Sequence, residues 1–430
     1  MAYAILGLGR SSRAVIEYLE SIGERDITLY VPSAEVAEVR RGYPHLQSGD
    51  IDAPIHEGVV VRSPGIRPDR DNIVRALANG AMLTQEVELF CKACPAPIYG
   101  VTGSDGKTTT ATLAAKMLEA EGYTVWLGGN IGVPPLTFLS RVQPHHRVVL
   151  ELSSFQLMTF APTLAGGAVT NLTENHLNWH HGMEEYRRAK ANSLTHARRR
   201  VQNGASFVAP HLSSLTFSTT IPTSNYREEA GRLLHGEQVL CDTRDIRLVG
   251  RHNRENILCA AALTGVSGDS VRQVATTFCG VAHRLEYIGC IRGRHCYNSS
   301  IDTTPTRTAV TLRAMTLPVT VICGGYDKHL SPAPLTEALL KHARRVVFTG
   351  GNGQTLMAHL TSHSAYGGTP QACYVATFQE AVEVACAQTP VGEAVLLSPA
   401  AASFDAFSSY EERGESFVRI LRTMKSATGG

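Results

Sequence analysis

The sequence predicts an α/β protein of three domains, each built around a mostly parallel sheet. The chain has 430 residues, more than one ordinary hydrophobic core accommodates. Short apolar segments alternate with helix-forming segments along the chain, and this alternation is typical of parallel sheets. Glycine-rich or polar turns follow many of the apolar segments. Because ligands bind at the carboxyl ends of parallel strands, these turns are the candidate functional segments.

The composition narrows the class of protein. With 43% hydrophobic and 18% charged residues, the chain is expected to be soluble and globular, and its ten scattered cysteines fit reduced thiols. A formal net charge of +2 gives no sign of a surface for nucleic acid. No apolar run is long enough to span a membrane, and no signal-peptide pattern precedes the first apolar segment. We therefore expect a cytoplasmic protein that binds neither nucleic acid nor a membrane.

Residues 1–95 are predicted to form a Rossmann-like N-terminal domain. Its first strand runs into residues 7–12, Gly-Leu-Gly-Arg-Ser-Ser, ahead of a helix. This is an incomplete dinucleotide fingerprint, and the second strand does not end in the acidic residue that binds a ribose. A turn for a phosphate or a nucleotide sugar is therefore favoured over an NAD site. The third strand leads into residues 63–66, Ser-Pro-Gly-Ile, a tight loop at the carboxyl end of that strand.

Residues 96–280 are predicted to form a central domain, a parallel sheet of the P-loop ATPase type. An apolar run leads into residues 103–109, Gly-Ser-Asp-Gly-Lys-Thr-Thr, and a helix-forming run follows. Such a strand–turn–helix unit aims backbone N–H groups and a helix N-terminus at one point, which is an anion site. Lys107 adds a charge for the β- and γ-phosphates of ATP, and Thr108 adds a hydroxyl for Mg²⁺.

Two further strand ends of the central domain carry candidate ligands. Glu151 follows an apolar strand, where a carboxylate is placed to bind the Mg²⁺ of a nucleotide. The loop at 171–181 contains His176, His180 and His181, but zinc is disfavoured because no cysteine accompanies them. This loop is interpreted as a part of the ligand edge of the sheet.

The rest of the central domain gives weaker signals. A helix is predicted over residues 183–200, and the residue types alone favour a solvated side chain for Lys190 on it. The arginines at 198–200 are interpreted as a solvated helix end. Asn256 lies in the first turn of a second helix, predicted over residues 253–263.

Residues 281–430 are predicted to form a Rossmann-like C-terminal domain. Three loops at its strand ends carry polar groups, at residues 298–306, 324–328 and 398–407. Three α/β units with an ATP-type loop in the middle one suit an enzyme that binds ATP and joins two other substrates.

Several of these segments together resemble one known family. Residues 100–109, 128–132, 151–156, 171–176 and 186–190 appear in the order found in the Mur ligases, the ATP-dependent ligases of peptidoglycan synthesis. The resemblance extends over nearly the whole chain. The glycine before the phosphate loop stands one position earlier than in the P-loop pattern, and that displacement is also the pattern of this family. The segment at 151–156, Glu-Leu-Ser-Ser-Phe-Gln, is the one most typical of the branch that adds glutamate.

The resemblance implies a reaction and a set of ligands. The chain is expected to add D-glutamate to UDP-N-acetylmuramoyl-L-alanine through an acyl phosphate, in cytoplasmic peptidoglycan precursor synthesis. It implies ATP and two Mg²⁺ ions, and a carbamate formed from CO₂ on Lys190, which replaces the solvated interpretation of that lysine. The expected partners are small-molecule substrates only, bound by a monomer.

The resemblance also assigns roles to individual residues. The residues expected to bind ATP are Gly103, Ser104, Asp105, Gly106, Lys107, Thr108, Thr109, Asn256, Arg284 and Asp302. The metal ligands are Thr108, Glu151, His176 and Lys190, and the catalytic residues are Lys107, His176 and Lys190. The residues expected to bind the UDP substrate are Ser11, Gly65 and Asn130. The residues expected to bind glutamate are Thr303, Lys328, Ser403 and Phe404.

The chain departs from the family pattern in the loop at residues 298–306, and alternatives to the expected reaction stay open. Ser299 replaces an aspartate expected at the ATP ribose, which makes Asp302 the candidate for that contact. Ile301 replaces a lysine near the glutamate, so addition of L-glutamate is the first alternative. Synthesis of folylpolyglutamate is disfavoured by the extra unit at residues 1–95. A regulatory module without catalysis is disfavoured because Lys107, Thr108, Glu151 and His176 are all present.

Overall fold

A computed structural model describes residues 1–248 and 250–426. The chain divides into two compact units, the first Met1–Phe278 and the second beginning at Cys279. The first unit contains two sheets and the second unit contains one. Three α/β regions with mostly parallel sheets confirm the predicted fold class. The predicted domain boundaries at 95/96 and 280/281 stay predictions.

The first sheet has five parallel strands in the order β3-β2-β1-β4-β5. The strands are β1 (Tyr3–Leu6), β2 (Ile27–Val31), β3 (Gln47–Asp50), β4 (Val59–Arg62) and β5 (Met82–Thr84). The helices that alternate with them are α1 (Arg10–Ser21), α2 (Ser33–Gly42), α3 (Asp71–Ala78) and α4 (Glu86–Ala93). The buried strands β1, β2 and β4 are almost entirely apolar, as expected of a parallel sheet covered on both faces.

The second sheet has nine strands in the order β14-β13-β12-β11-β10-β9-β6-β8-β7. Its strands are β6 (Ile98–Thr102), β7 (Val125–Gly129), β8 (Arg147–Glu151), β9 (Leu164–Val169), β10 (Ala197–Asn203), β11 (Leu215–Ser218), β12 (Tyr226–Glu229), β13 (Arg232–His235) and β14 (Gln238–Asp242). Its helices are α5 (Lys107–Ala120), α6 (Ser154–Leu157), α7 (Met183–Thr195), α8 (Arg251–Thr264) and α9 (Gly268–Thr277), with 3₁₀ turns at Pro135–Arg141 and Thr243–Asp245. Strands β12 to β14 pair antiparallel and the others pair parallel.

The third sheet has six strands in the order β15-β16-β20-β17-β18-β19. Its strands are β15 (Glu286–Ile291), β16 (Arg294–Asn298), β17 (Val319–Cys323), β18 (Ala343–Phe348), β19 (Gln371–Tyr374) and β20 (Ala394–Leu397). Its helices are α10 (Pro305–Ala314), α11 (Ala333–His342), α12 (Gly353–Thr361), α13 (Phe378–Gln388) and α14 (Tyr410–Ser426). Only the β15–β16 pair is antiparallel.

The first two sheets share a hydrophobic core, which is why they form one unit. Phe90 of α4 packs edge to face on Phe138 with ring centroids 5.4 Å apart, and Trp126 of β7 stacks on the same ring at 5.3 Å. Ile5 of the first sheet and Leu150 of the second belong to this cluster, and both are fully buried. Burial of each aromatic ring contributes roughly 2–3 kcal/mol to the stability of the fold and fixes the first sheet against the second.

One predicted helix is wrong at its end. Helix α7 stops at Thr195, and residues 198–200 lie on strand β10 rather than at a solvated helix end. Arg199 pairs with Gly166 of β9 in a parallel ladder, and its Nε donates to the carbonyl of Ala262 at 2.5 Å. Pairing with β9 and β11 therefore decides the conformation over the helical propensity of arginine.

Among the described helices, none is long and apolar enough to cross a membrane.

Candidate active site

The phosphate loop joins β6 to α5, and two of its glycines are required by their surroundings. Gly103 has φ +148°, and a Cβ there would lie 1.8 Å from Thr170 Oγ1. Gly106 has φ +76°, and a Cβ there would lie 2.4 Å from Asn256 Oδ1. Because L side chains rarely adopt these φ values, both positions need glycine. The loop is thus packed between the end of β9 and helix α8, where Asn256 is 6% exposed.

The strand end after β9 holds the phosphate loop in place. Ser104 N donates to Asn171 O at 3.1 Å, and Asp105 N donates to Asn171 Oδ1 at 2.9 Å. The buried Ser104 hydroxyl also meets Tyr186 OH at 3.0 Å. These contacts fix the loop conformation ahead of α5, whose N-cap, Gly106, has no capping side chain. The first turn of α5 is therefore a site where N–H groups and the helix dipole favour an anion.

Two lysines meet at one carbonyl of the loop. Lys107 Nζ donates to Gly103 O at 3.1 Å and to Ser104 O at 2.8 Å. Lys190 Nζ donates to the same Gly103 O at 2.7 Å and lies 4.5 Å from the centroid of the Tyr186 ring. The structure therefore brings together two of the three predicted catalytic residues.

Lys190 is buried, so the interpretation as a solvated helix residue is wrong. It is 1% exposed, because α7 turns this face towards β6 and the phosphate loop. Burial lowers the pKa of Lys190 well below its ordinary value of 10.5, and the charge of Lys107 lowers it further. An amine in this position loses its proton at a lower pH than the amine of a surface lysine does.

Glu151 lies at the end of β8 and joins two predicted sites. Its Oε2 accepts from Thr108 Oγ1 at 2.6 Å, and its Oε1 accepts from Asn130 Nδ2 at 2.8 Å. Glu151 is 2% exposed, while Asn130 is exposed. A hydroxyl and a carboxylate at a phosphate loop are the hard oxygen ligands that Mg²⁺ prefers. These residues fit an ion bound mainly through nucleotide phosphates, for which one or two protein ligands suffice.

His176 lies in the loop after β9, and its side chain is exposed. It adopts φ +56°, which the neighbouring turn stabilises through hydrogen bonds from Trp179 N and His180 N to His176 O, both 3.0 Å. Burial of part of the ring lowers its pKa, and the charges of Lys107 and Lys190 lower it further. A neutral imidazole is the form that binds a metal ion. Throughout residues 1–248 and 250–426, no group of three His, Cys, Asp or Glu side chains is placed to hold a metal by itself.

The residues predicted to bind the UDP substrate lie at the carboxyl edge of the first sheet and beside Glu151. Ser11 is in the first turn of α1, and its neighbour Ser12 shares a hydrogen bond with Ser63 at 2.8 Å between the two Oγ atoms. Gly65 is exposed, and its carbonyl accepts from Trp179 Nε1 at 3.0 Å. The serine pair ties the start of α1 to the loop at 63–66, which the sequence did not reveal.

The second unit carries the residues predicted to bind glutamate in three strand-end loops. Lys328 Nζ donates to Thr303 Oγ1 at 3.3 Å. Ser403 is 2% exposed, whereas the neighbouring Phe404 is 67% exposed. Tyr326 connects the loops at 324–328 and 398–407, since its N–H donates to Ala402 O at 2.9 Å and its ring lies 6.2 Å from that of Phe404.

Asp302 is buried and engaged within the second unit. Its Oδ2 accepts from Thr311 Oγ1 at 2.7 Å and from Ser398 Oγ at 2.8 Å, and the side chain is 5% exposed. These hydrogen bonds hold the carboxylate between α10 and the end of β20. Its contact with a ribose stays a prediction. Arg284 is exposed near the start of the second unit, and its contact with ATP also stays a prediction.

Sequence reasoning missed Arg413, which holds the predicted glutamate loops together. It is 2% exposed, and its guanidinium donates to Ser300 Oγ and Ser300 O at 3.0 and 2.9 Å and to Ala401 O and Ala402 O at 3.1 and 3.0 Å. Burial lowers the pKa of Arg413 to about 10. An arginine on a helix gives no sequence signal of such contacts, because its partners are carbonyls of loops far away in the chain.

The fold and the phosphate loop define a class of protein, with three α/β regions and a phosphate loop in the central one. Two solved structures share this fold over almost the whole chain. The UDP-N-acetylmuramate-alanine ligase MurC from Thermotoga maritima superposes with a TM-score of 0.56 at 20% identity, covering 99% of this chain and 100% of that one. A UDP-N-acetylmuramoyl-L-alanyl-D-glutamate–2,6-diaminopimelate ligase gives a TM-score of 0.54 at 18% identity, covering 95% and 93%.

Sequence comparison gives the family. Residues 101–264 match the model of the Mur ligase middle domain. The UDP-N-acetylmuramoylalanine–D-glutamate ligase of Clostridium novyi (strain NT) is 38% identical over 442 residues, covering 98% of this chain and 96% of the relative. The proteins of the same name from Clostridium perfringens (strain 13 / Type A) and Acetivibrio thermocellus are each 36% identical over the same shares of both chains. The chain belongs to the Mur ligase family of ATP-dependent amide ligases, which confirms the predicted resemblance.

Proposed function

We propose that this chain joins D-glutamate to the alanine carboxylate of UDP-N-acetylmuramoyl-L-alanine, with cleavage of ATP to ADP and phosphate. The observation that carries the proposal is the phosphate loop with the Thr108–Glu151 pair at its base, 2.6 Å between the two oxygens. The names of relatives that match 98% of the chain support the choice of substrates. The substrates are small molecules, and we place the reaction in the cytoplasm with the protein as a monomer.

The proposed reaction has two steps. A carboxylate oxygen of the alanine attacks the γ-phosphorus, and the bond to the β–γ bridging oxygen breaks, which gives an acyl phosphate and ADP. The α-amine of glutamate then attacks the acyl carbon, loses a proton and expels inorganic phosphate, which leaves an amide. Both steps depend mainly on alignment and on neutralising phosphate charge.

The phosphate loop supplies that neutralisation in the first unit. Lys107 and the N–H groups at the start of α5 would bind the β- and γ-phosphates. Thr108 and Glu151 would hold Mg²⁺, which neutralises phosphate charge when bound. Asn130 reaches Glu151 from the loop after β7, which couples the predicted muramoyl contact to the predicted magnesium ligand.

Carbamylation of Lys190 is a further part of the proposal. CO₂ reacts with an uncharged amine, and burial together with the Lys107 charge favours the uncharged form of Lys190. The carbamate would introduce a negative charge close to His176, whose ring interacts electrostatically with Lys190. These two residues would then hold a second Mg²⁺, whose charge a lysine ammonium would repel.

The amino-acid substrate is assigned to the second unit. Thr303, Lys328 and Ser403 offer hydroxyl and ammonium groups for the carboxylates of glutamate, and Phe404 offers an exposed ring. L-Glutamate is the alternative, because Ile301 removes a lysine that the family pattern has in this region. Folylpolyglutamate synthesis stays less favoured, since the first sheet adds a complete α/β region ahead of the phosphate loop.

Isotope transfer tests the proposed reaction. UDP-N-acetylmuramoyl-L-alanine is labelled with ¹⁸O in both carboxylate oxygens and incubated with ATP, Mg²⁺ and D-glutamate. We expect one ¹⁸O atom per released phosphate, detected by ³¹P NMR, because the acyl phosphate passes one carboxylate oxygen to phosphorus. Release of unlabelled phosphate with amide formation would exclude the acyl phosphate, and absence of amide would exclude the reaction.

A further inference from the structure

Arg67 uses every one of its donors. Its Nη2 and Nη1 donate to the two carboxylate oxygens of Glu185 at 3.0 and 3.2 Å, and its Nε and Nη2 donate to Asp69 at 2.9 and 2.8 Å. The remaining Nη1–H donates to the carbonyl of Trp179. A guanidinium has five N–H donors in a rigid fork, so this arrangement fixes the side chain in one orientation.

Trp179 joins the same cluster from the loop that carries His176. Its indole N–H donates to Gly65 O at 3.0 Å, and the Arg67 guanidinium lies 4.9 Å from its ring centroid. Trp179 N donates to His176 O at 3.0 Å. One side chain thus connects the loop predicted to bind the UDP substrate with the turn that orients a predicted metal ligand.

Glu185 extends the cluster into helix α7. It accepts from His181 N at 2.8 Å and from His180 Nδ1 at 3.3 Å, and the other ring nitrogen of His180 meets Ser154 Oγ at 2.9 Å. Glu185 is in the first turn of the helix that carries Lys190. Hydrogen bonds from Arg67 lower the pKa of Glu185 to about 2, so this carboxylate is charged at neutral pH.

We propose that Arg67, Trp179 and Glu185 form a substrate-loop clamp, a set of positioning residues that holds residues 63–66 against the His176 turn. The inference rests on the proposed function, since it assumes that residues 63–66 contact the UDP substrate. The clamp presets the loop in its binding conformation, so the substrate does not have to order it. Partly exposed ion pairs contribute little to stability, which makes alignment the property that the clamp most affects.

The chain offers a direct reporter of the clamp. It contains two tryptophans, Trp126 and Trp179, so a Trp126→Phe variant leaves Trp179 as the single indole fluorophore. Titration of this variant with UDP-N-acetylmuramoyl-L-alanine, without ATP and Mg²⁺, is expected to change the Trp179 emission to a saturating value. This readout is binding and does not depend on catalysis.

Arg67→Met in the same background removes the donors and keeps the aliphatic stem. We expect the Kd for the UDP substrate to rise about tenfold or more, which corresponds to losing one charged contact. We expect the KM for this substrate to rise in parallel, while the KM values for ATP and glutamate stay within about twofold. Glu185→Gln keeps the acceptor oxygen and removes the charge, and we expect a smaller rise.

Arg227→Met is the matched control. Arg227 pairs with Glu229 at 2.9 Å on β12 and is 20% exposed, compared with 19% for Arg67. We expect its Kd and KM to equal those of the parent. If Arg67→Met binds the UDP substrate like the parent, or if Arg227→Met weakens binding equally, the clamp is excluded. If the parent itself neither binds nor turns over this substrate, the proposed function fails and the clamp with it.

Discussion

Replacing Glu86 with glutamine is predicted to stabilise the first unit above neutral pH. Glu86 lies in the first turn of α4 and is 3% exposed. Its Oε1 accepts from Leu136 N at 2.8 Å, at the start of the 3₁₀ turn that follows the Asn130 loop. Burial raises the pKa of Glu86 from 4.5 to about 7, against the opposing effect of the Leu136 hydrogen bond. Glutamine keeps the acceptor oxygen and carries no charge.

The sign and size of the effect follow from proton linkage. The unfolded chain releases the Glu86 proton near pH 4.5 and the folded chain near pH 7. Between these values the folded state binds more protons, so stability is present below pH 4.5 and is lost as the pH rises through about 7. A difference of about 2.5 pH units at about 1.4 kcal/mol each gives a loss of up to about 3.5 kcal/mol.

Urea unfolding at pH 5, 6, 7 and 8 measures this effect. Trp126 and Trp179 both lie in the first unit, so tryptophan fluorescence reports its unfolding. We expect the free-energy advantage of Glu86→Gln over the parent to grow by about 2–3 kcal/mol from pH 5 to pH 8. Glu88, whose pKa burial also raises, is present in both proteins and cancels in the comparison.

Glu17→Gln is the control, because Glu17 is an exposed glutamate of α1 in the same unit. A Glu86→Gln advantage that changes with pH no more than the Glu17→Gln difference does would refute the reasoning, since it would mean that Glu86 does not titrate differently in the folded state.

Three further substitutions test the active site itself. Lys190→Ala is expected to lower kcat by at least about 100-fold, with partial rescue by formate or acetate, and normal activity of this variant in CO₂-depleted buffer would contradict the carbamate. Glu151→Gln is expected to lower kcat by roughly 100-fold and to raise the Mg²⁺ concentration for half-maximal rate, whereas an unchanged Mg²⁺ dependence would remove Glu151 from the metal site. Gly103→Ala is expected to destabilise the first unit by about 1–3 kcal/mol and to abolish ATP binding in calorimetry, because its Cβ would overlap Thr170. A variant that binds ATP normally would show that the loop has room for this Cβ.

The order of strands and helices was readable from the sequence because it depends on local patterns. Glu151 was expected to follow an apolar strand, and it is the last residue of β8 (Arg147–Glu151). The helix predicted over 183–200 was wrong at its end, because the arginines at 198–200 lie on β10, between β9 and β11. The partners that stabilise this strand are distant in sequence, so periodicity alone does not reveal them.

The phosphate loop was likewise readable, because glycine positions and the lysine–threonine pair are local requirements. The residues that contact this loop from other strands could be predicted only in part. Glu151 was selected from its place after an apolar strand, and it accepts a hydrogen bond from Thr108, while its role as a metal ligand stays a prediction. Burial of Lys190 depends on how α7 packs, and the residue types favoured the opposite. The contacts of Arg67 and Arg413 could not be predicted from the sequence, since their partners belong to loops that only the fold brings together.

The central claim is tested most directly by product formation with each enantiomer of glutamate. Purified protein is incubated with UDP-N-acetylmuramoyl-L-alanine, ATP and Mg²⁺, with D-glutamate or L-glutamate in separate reactions, and the product is identified by mass spectrometry. The account predicts a product one glutamyl residue heavier with D-glutamate, one ADP per product, and a rate with L-glutamate at least about 100-fold lower. Faster turnover with L-glutamate would contradict the assigned substrate, and no product with either enantiomer would contradict the assigned reaction.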